Sequence, residues 1–429
     1  MADHTIHAII DYEDAYVQPL LLSAIRARLP AELLILIKDL SQLPSPADRL
    51  LQWRQYESID FDHLIENSTT SLANSYVIRK ALIRKHYLST TISHWLTKHA
   101  NSLLKDHVKP SVEFEVDYAE FLDDALVEAF ELKESWTRNE ALDEDSDQRE
   151  WWILKPGMSD RGQGIRLFSS EEELQTIFEE WDPPSDDEDD DATSQQDMNP
   201  STTDKDEGNG VITSQLRHFV AQPYISNPLL LPQPHPSAGR KFHIRTYVLA
   251  VGALQVYVSK PMLALFAGQP YTLPSSVSAP NDDLSAHLTN TCLQTGEREG
   301  SVHAFWSLPS HIEGIDSKDW REDVFQQICS ITGEVFEAAA RSMGIHFQPL
   351  PNAFEIFGLD FMVDAKGTTW MLEVNAFPDF AQTGGELKDL VLDLMGDVVE
   401  VGVKPFFGVE GDVSTTKMER VLDIDLGRR

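Results

Sequence analysis

The sequence is poor in cysteine, in long apolar runs and in basic residues, and each shortage excludes a class of protein. Only Cys292 and Cys329 are present among 429 residues, which excludes a disulfide scaffold and a four-cysteine zinc site. The longest apolar run near the start covers residues 33–37, whereas a membrane-spanning helix needs about 20 residues. Because no Lys or Arg precedes a long apolar stretch at the start, we expect no secretory signal and a cytoplasmic location.

Basic residues are outnumbered two to one, since 35 Lys and Arg stand against 70 Asp and Glu and give a formal net charge of −35. Residues 182–207 hold eleven of the acids and a single base, and they contain no aromatic residue. That composition predicts a disordered acidic insertion over residues 182–210. A chain this acidic should be repelled by nucleic acid and by anionic lipid, so we expect neither direct nucleic-acid binding nor membrane association.

Hydrophobic periodicity predicts a mixture of short strands and helices. Residues 1–80 are typical of a small α/β domain, with a strand over 6–10 and a helix over 17–29. A basic helical pattern follows over 76–94, and an amphipathic helix is predicted over 323–343. The further strands are predicted over 216–225, 241–251, 253–260, 354–364 and 370–375. Strands paired as hairpins favour an α+β fold, which we divide into domains over 1–80, 81–226 and 227–429.

The hairpin predicted over 354–375 carries the strongest candidate site. Because side chains alternate between the faces of a strand, Asp360 points away from the core face of the first strand. Glu373 and Asn375 share the corresponding face of the second strand, so antiparallel pairing brings the three side chains together. Two carboxylates and one amide, with positions left for phosphate oxygens and water, favour Mg²⁺. The alternative is an ordinary polar, solvent-facing sheet surface.

A glycine-containing loop follows the predicted strand that ends at Lys155. Gly157, Gly162 and Gly164 would let backbone N–H groups approach phosphate oxygens, and the lysine would neutralise them. The loop matches neither a Walker A loop nor a dinucleotide fingerprint, because the required Gly spacing and following helix are missing. A plain hairpin loop with a surface lysine is the alternative.

Basic side chains also share one face of the strand predicted over 241–251. Lys241, His243 and Arg245 alternate with apolar residues, and Lys260 ends the next strand. Positive charges projecting from a strand suit phosphate or carboxylate oxygens, and His243 fits a hydrogen-bonded structural role better than a catalytic one. No nucleophile elbow is present, so nothing in the sequence indicates an acyl-enzyme mechanism.

In this order, these elements resemble the tubulin–tyrosine ligase-like family of the ATP-grasp superfamily, in its fungal cytoplasmic form. The resemblance covers about residues 75–385. The family usually has Asp where His243 stands and Lys where Pro223 stands, and it often has Arg where Lys260 stands, so three positions depart from the pattern. The motifs that carry the resemblance are Ile83-Arg84-Lys85, Leu154-Lys155-Pro156, Asp160-Arg161-Gly162-Gln163-Gly164-Ile165, Gln222-Pro223-Tyr224-Ile225, Lys241-Phe242-His243-Ile244-Arg245, His287-Leu288-Thr289-Asn290, Gly358-Leu359-Asp360-Phe361-Met362-Val363 and Leu372-Glu373-Val374-Asn375.

The resemblance implies an ATP-grasp fold, in which two α+β subdomains sandwich ATP beside a small N-terminal α/β domain. It implies that Asp360, Glu373 and Asn375 hold Mg²⁺. The residues that it implies for ATP binding are Lys85, Lys155, Arg161, Gly162, Gln163, Gly164, Gln222, Tyr224, Ile225 and Lys241. The residues that it implies for the γ-phosphate and the substrate carboxylate are Lys241, Arg245, Lys260, Thr289 and Asn290.

The resemblance also implies an ATP-dependent carboxylate–amine ligase that works through an acyl phosphate, with positioning and charge stabilisation as the protein's main contributions. The implied substrates are an acidic, tubulin-like protein or peptide acceptor and a free amino acid. One alternative is an ATP-binding, non-catalytic scaffold or regulatory partner in cytoplasmic mRNA-decay assemblies, which His243, Pro223 and the acidic insertion favour. Another is an ATP-grasp kinase that phosphorylates a hydroxyl group.

Overall fold

The computed structural model describes residues 5–143, 146, 148–157, 164–182, 217–274, 284–289, 301–384, 387–409 and 417–427. The acidic insertion predicted over 182–210 lies outside the described residues except for Asp182. The described strands are β1 Ile6–Asp11, β2 Leu34–Leu36, β3 Arg49–Arg54, β4 Ser71–Ala73, β5 Val112–Glu115, β6 Trp152–Pro156, β7 Arg166–Phe168, β8 His218–Pro223, β9 Arg240–Val251, β10 Gln255–Ser259, β11 Leu263–Pro270, β12 Val302–Ala304, β13 Phe354–Val363, β14 Thr369–Ala376 and β15 Met418–Asp423. The described α-helices are α1 Val17–Arg28, α2 Phe61–Glu66, α3 Lys80–Ile83, α4 Lys85–Lys98, α5 Leu104–His107, α6 Leu122–Ala125, α7 Phe130–Glu140, α8 Glu171–Trp181, α9 Trp320–Ser342, α10 Lys388–Val398 and α11 Lys404–Phe407.

The predicted strands and helices are present, and the α+β class is confirmed. The helix predicted over 323–343 begins earlier, at Trp320, because the Asp319 carboxylate accepts a hydrogen bond from the N–H of Arg321 and caps the helix. The basic stretch over 76–94 forms two helices, α3 and α4, instead of one. Arg84 adopts extended dihedrals between them (φ −102°, ψ 122°), so the helical backbone is interrupted immediately before Lys85.

The chain folds into two compact units, and neither is a single stretch of sequence. The first comprises Met1–Pro110, Asn227–Thr272 and Leu284–Arg429, and the second comprises Ser111–Ser226 and Leu273–Asp283. Residues 1–80 and 227–429 were predicted as separate domains, yet both belong to the first unit. The reason is a shared core, in which Val17 and Leu21 of α1 are buried with Leu394 and Met395 of α10.

Among the described residues, two sheets build the first unit. Residues before 80 form the parallel sheet β2-β1-β3-β4, as expected for a small α/β element. The larger sheet has the order β12-β11-β9-β10-β15, and β13 pairs with both β9 and β14. Phe242 and Ile244 of β9 face the core built with α9, whereas Tyr247 and Leu249 face the core built with α1 and α10. Strand alternation therefore places Lys241, His243 and Arg245 on the side that faces away from α9.

The second unit is a small antiparallel sheet, β5-β8-β6-β7, covered by helices α7 and α8. Its core is aromatic: the rings of Phe178 and Phe219 lie 4.9 Å apart, and Trp181 stacks on Phe219. Strands β6 and β8 pair directly, and this pairing positions Lys155 opposite Val220. Among the helices of the described segments, none is both long and apolar enough to cross a membrane.

Candidate functional site

The β13–β14 hairpin brings together the three side chains predicted as metal ligands. Asp360 lies directly opposite Glu373, and Asn375 lies opposite Gly358. The amide Nδ2 of Asn375 is 3.3 Å from Oδ2 of Asp360 and 3.2 Å from Oε1 of Glu373. Asp360 is 4% exposed, whereas the Glu373 side chain is 29% exposed. The cluster therefore runs from the buried interior of the sheet toward solvent.

The chemistry of this donor set fits a hard divalent cation. A half-turn of the Asn375 amide exchanges Nδ2 for Oδ1, so the cluster can offer oxygen donors from all three side chains. Within the described ranges, no three His, Cys, Asp or Glu side chains converge as a metal-binding group. A cation here would need phosphate oxygens and water to complete its shell, which is how proteins usually bind Mg²⁺.

Arg245 neutralises the buried carboxylate of this cluster. The register of β9 and β13 places it directly opposite Asp360. Its Nε lies 2.5 Å from Oδ1 and its Nη2 lies 3.0 Å from Oδ2, so the ion pair is bidentate. Burial by itself would lower the pKa of Arg245, but the Asp360 carboxylate more than offsets this effect and raises it. The guanidinium therefore stays positive beside the cluster.

Gly358 leaves the space through which Arg245 reaches Asp360. A Cβ at this position would lie 2.9 Å from Cβ of Pro378 and 3.3 Å from Cδ of Arg245. Both distances are shorter than ordinary contacts, so we expect Gly358→Ala to lower the free energy of unfolding by about 1–3 kcal/mol. Chemical denaturation measures the change. Gly402→Ala is the control, because its added Cβ would approach Phe354 no closer than 3.5 Å; equal losses in both variants would contradict the prediction.

Three of the predicted lysines belong to the same unit as the carboxylates: Lys85, Lys241 and Lys260. Lys85 begins α4, and its Nζ lies 3.6 Å from Oε2 of Glu373. Lys241 lies on β9, is 3% exposed, and is close enough to His287 to help lower the pKa of that histidine to about 4, after the larger effect of burial. The cluster therefore combines carboxylates with positive charges from two separate elements.

His243 lies between Thr289 and Asp360. Its Nδ1 is 2.6 Å from Oγ1 of Thr289, and its Nε2 is 3.7 Å from Oδ1 of Asp360. Burial lowers the pKa of His243 although the neighbouring Asp360 carboxylate opposes the shift, so the ring is neutral at pH 7. The hydrogen bond to Thr289 agrees with the structural role predicted for this residue. Its Nε2, however, has no hydrogen-bond partner in the part of the chain that the structure describes.

The structure does not bring Lys260 to this cluster. Its Nζ lies 3.4 Å from Oε2 of Glu322 on α9 and 5.0 Å from the centre of the Trp306 ring. Helix α9 packs on the sheet face opposite to Arg245. Because Lys260 pairs with Glu322 on this helix, it does not face the carboxylate cluster as predicted. Strand alternation could not indicate this, because Lys260 follows the last residue of β10 and leaves the regular pattern.

The second unit holds the other predicted nucleotide-binding residues, which include a hydrogen-bonded pair. Nζ of Lys155 on β6 donates to Oε1 of Gln222 on β8 over 3.0 Å, and both side chains are buried. The N–H of Tyr224 donates to the carbonyl of Trp151, and Ile225 is buried beside it. Gly164 has a positive φ of 70° at the end of the predicted loop. Four predicted site residues lie outside the described ranges: Arg161, Gly162, Gln163 and Asn290.

Glu355 and Arg79 form a buried ion pair that the sequence reasoning missed. Nε of Arg79 lies 2.8 Å from Oε1 of Glu355, and the Arg79 guanidinium lies 3.8 Å from the centre of the Tyr56 ring. Burial raises the pKa of Glu355 to about 7, against the opposing effect of Arg79. Strand alternation could have indicated a buried partner for Glu355, because this residue shares its strand face with the core residue Phe357.

The comparisons with known proteins agree on one protein family. The model of the tubulin-tyrosine ligase family matches residues 65–410. A probable tubulin–tyrosine ligase of Schizosaccharomyces pombe is 44% identical over 405 residues, which cover 94% of this chain and 92% of that protein. A probable tubulin–tyrosine ligase of Saccharomyces cerevisiae is also 44% identical, over 84% of this chain and 46% of that protein.

Solved structures point the same way. The crystal structure of the C-terminal domain of K. lactis Pby1 superposes with a TM-score of 0.70 and 36% identity. The match covers 98% of this chain and 99% of that domain, which is described as an ATP-grasp enzyme interacting with the mRNA decapping enzyme Dcp2. A probable α-tubulin polyglutamylase of Tetrahymena thermophila is more distant, at 26% identity over 58% of this chain and 53% of that protein.

Proposed function

The chain belongs to the tubulin-tyrosine ligase family and has the ATP-grasp fold, and on this premise we propose that it is an ATP- and Mg²⁺-dependent carboxylate–amine ligase. The proposed acceptor is a carboxylate of an acidic protein or peptide, and the proposed donor is a free amino acid. The observation that carries the proposal is the cluster of Asp360, Glu373 and Asn375, with Arg245 and Lys85 in contact with its carboxylates.

In this proposal Asp360, Glu373 and Asn375 hold Mg²⁺, which when bound would neutralise charge on the phosphoryl group that is transferred. In the same proposal Lys85 binds a phosphate oxygen, which is supported by the 3.6 Å distance of its Nζ from Oε2 of Glu373. The γ-phosphate and the acceptor carboxylate would be bound by Lys241, Arg245 and Thr289. Asn290, which lies beyond the described ranges, would bind them as well. From the second unit we assign Lys155, Arg161, Gly162, Gln163, Gly164, Gln222, Tyr224 and Ile225 to ATP binding.

The proposed reaction has two steps. A carboxylate oxygen of the acceptor attacks the γ-phosphorus, the bond to the β–γ bridging oxygen breaks, and ADP leaves. The donor amine then attacks the acyl carbon, the carbon–oxygen bond breaks, inorganic phosphate leaves with the bonding electrons, and the amine loses a proton. Lys241 and Arg245 supply fixed positive charge for the anionic oxygens, and no side-chain nucleophile is needed.

A second candidate function is an ATP-binding scaffold without turnover. K. lactis Pby1 is described as interacting with the mRNA decapping enzyme Dcp2, which favours a comparable partner for this chain. His243 and Pro223 also stand where the family usually has Asp and Lys. A scaffold would keep nucleotide binding and show no acceptor-dependent ADP release.

Incubation with ATP, Mg²⁺, radiolabelled Tyr or Glu, and tubulin tests the ligase. We expect label in the acceptor together with acceptor-dependent ADP release, and we expect both to be lost in Glu373→Gln but kept in Glu419→Gln on the exposed strand β15. Hydroxylamine should trap an acyl phosphate, whereas the phosphate ester made by a kinase would not react. Absence of label and of ADP release across a panel of acidic acceptors would contradict the ligase and favour the scaffold.

A further inference from the structure

The second unit exposes a concentration of apolar side chains. Of the nine large apolar side chains that are exposed in the described ranges, four lie within residues 118–130. Their exposed fractions are 44% for Tyr118, 48% for Phe121, 59% for Val127 and 65% for Phe130. The rings of Tyr118 and Phe121 lie edge to face, with their centres 6.4 Å apart. Single exposed apolar residues are ordinary, but a group of them indicates a surface that another molecule covers.

A cleft of about 770 Å³ adjoins Tyr118 and Phe121, because Ala119 and Glu120, which lie between them in the sequence, are part of its wall. The wall holds five exposed carboxylates and a single base, Arg149, and the carboxylates are those of Glu120, Asp123, Glu140, Glu171 and Glu172. None of these five forms an ion pair with any residue that the structure describes. The cleft therefore carries negative charge that the surrounding fold does not neutralise.

Trp136 lines the same cleft and contributes a hydrogen-bond donor. The residue is 5% exposed, and its indole N–H has no hydrogen-bond partner in the part of the chain that the structure describes. Because buried polar groups are nearly always paired, an unpaired N–H in the wall of a cleft favours a ligand that brings an acceptor, such as a peptide carbonyl oxygen. Carboxylates and an N–H donor together suit a polypeptide with cationic side chains.

The charge of the surface determines which polypeptide it can bind. Residues 113–131 hold eight acids and no base. Asp182, which accepts a hydrogen bond from the N–H of Ala119, begins the acidic insertion, but residues 182–207 hold eleven acids and one base and would be repelled here. A second copy of the chain, with its net charge of −35, and the acidic acceptor of the proposed reaction would be repelled as well. A basic partner remains.

We propose that this surface docks a basic segment of a partner protein. Apolar side chains of the segment would pack on Tyr118 and Phe121, while its Lys or Arg side chains would pair with the carboxylates of the cleft. The apolar contacts would supply most of the affinity, and the charges would set the orientation and the rate of association. The inference goes beyond the proposed function, because none of the residues that form the surface was assigned to nucleotide, metal or substrate.

Fluorescence anisotropy with a labelled synthetic peptide of lysine and leucine tests the surface at about 0.15 M salt, where long-range attraction is screened. We expect the double variant Tyr118→Ser and Phe121→Ser to weaken binding about tenfold or more, and the double variant Glu120→Lys and Asp123→Lys to do the same. A second peptide, in which serine replaces every leucine, should bind the unaltered protein about tenfold more weakly than the first.

Matched double variants in the first unit provide the controls. Ile65 and Ile345 are 57% and 79% exposed, and Glu66 and Glu419 are also exposed. Ile65→Ser with Ile345→Ser, and Glu66→Lys with Glu419→Lys, should keep the affinity within about twofold of that of the unaltered protein. Thermal unfolding checks that every variant folds.

Equal losses in the surface variants and the controls, or equal binding of the two peptides, would show attraction by net charge alone and would overturn the inference. Failure of the unaltered protein to bind the leucine-containing peptide would overturn it as well. A dimer in sedimentation that Tyr118→Ser with Phe121→Ser dissociates would assign the surface to a second copy instead. Calorimetry with Mg²⁺-AMP-PNP tests the proposed function separately, and the surface variants should leave that binding unchanged.

Discussion

Replacement of Glu373 by Gln should weaken the binding of Mg²⁺-AMP-PNP about tenfold or more and leave the stability of the fold nearly unchanged. The substitution removes one of the two anionic donors of the cluster, and a tenfold loss corresponds to about 1.4 kcal/mol. The stability should hold because the ion pair of Glu373 with Lys85 is partly exposed, and such pairs contribute about 0–1 kcal/mol. Calorimetry measures the binding and chemical denaturation measures the stability.

Asp360→Asn provides the contrast, because this carboxylate is buried. Its loss should reduce nucleotide binding at least as much as Glu373→Gln, and it also leaves the buried Arg245 guanidinium without its anion. Breaking a buried ion pair by removing one partner costs about 3–5 kcal/mol. Glu419→Gln, on the same sheet, should change neither quantity. Unaltered binding of Mg²⁺-AMP-PNP by Glu373→Gln would show that the cluster does not hold the metal.

Local pattern was sufficient for the hairpin that carries the cluster. Alternation in β13 and β14 placed Asp360 and Glu373 on one face, and the short turn before Thr369 fixed the register that the structure shows. Gly367 in that turn has a positive φ of 84°, which suits a glycine. Because the motifs also occur in the family's order, the α+β class and the family followed from the sequence.

Hydrophobic periodicity could not predict which strands and helices lie beside each other when they are far apart in the sequence. Arg245 contacts Asp360 because β9 and β13 are neighbours, although 115 positions separate the two residues. Periodicity shows that a strand has a core face, but it does not show which strand lies beside it. The same limit applies to α1, whose apolar face was evident while its partner, α10, was not. The ring of His243 gained its neighbours in the same way, through Thr289 on a distant segment.

The buried pair of Glu355 and Arg79 should make the stability of the fold depend strongly on pH. The folded-state pKa of Glu355, about 7, lies above the ordinary value of 4.5. The folded protein therefore binds more protons than the unfolded chain between about pH 4.5 and 7, and the free energy of unfolding falls as the pH rises through this window. The full effect is about 3 kcal/mol. Glu355→Gln should remove this titration, so its free energy of unfolding should change less between pH 5 and pH 8 than that of the wild type.

Arg79→Met should lower the free energy of unfolding, and the loss should be larger at high pH than at low pH. Without the guanidinium, the Glu355 carboxylate at pH 8 would be buried with only the N–H of Tyr76 and nearby polar groups to stabilise it. We expect the free energy of unfolding to fall by about 3–5 kcal/mol at pH 8. The loss should be much smaller at pH 5, where Glu355 is protonated in the folded state. Denaturation at both pH values measures this, and a loss independent of pH would show that Arg79 acts through its packing on Tyr56 instead of its charge.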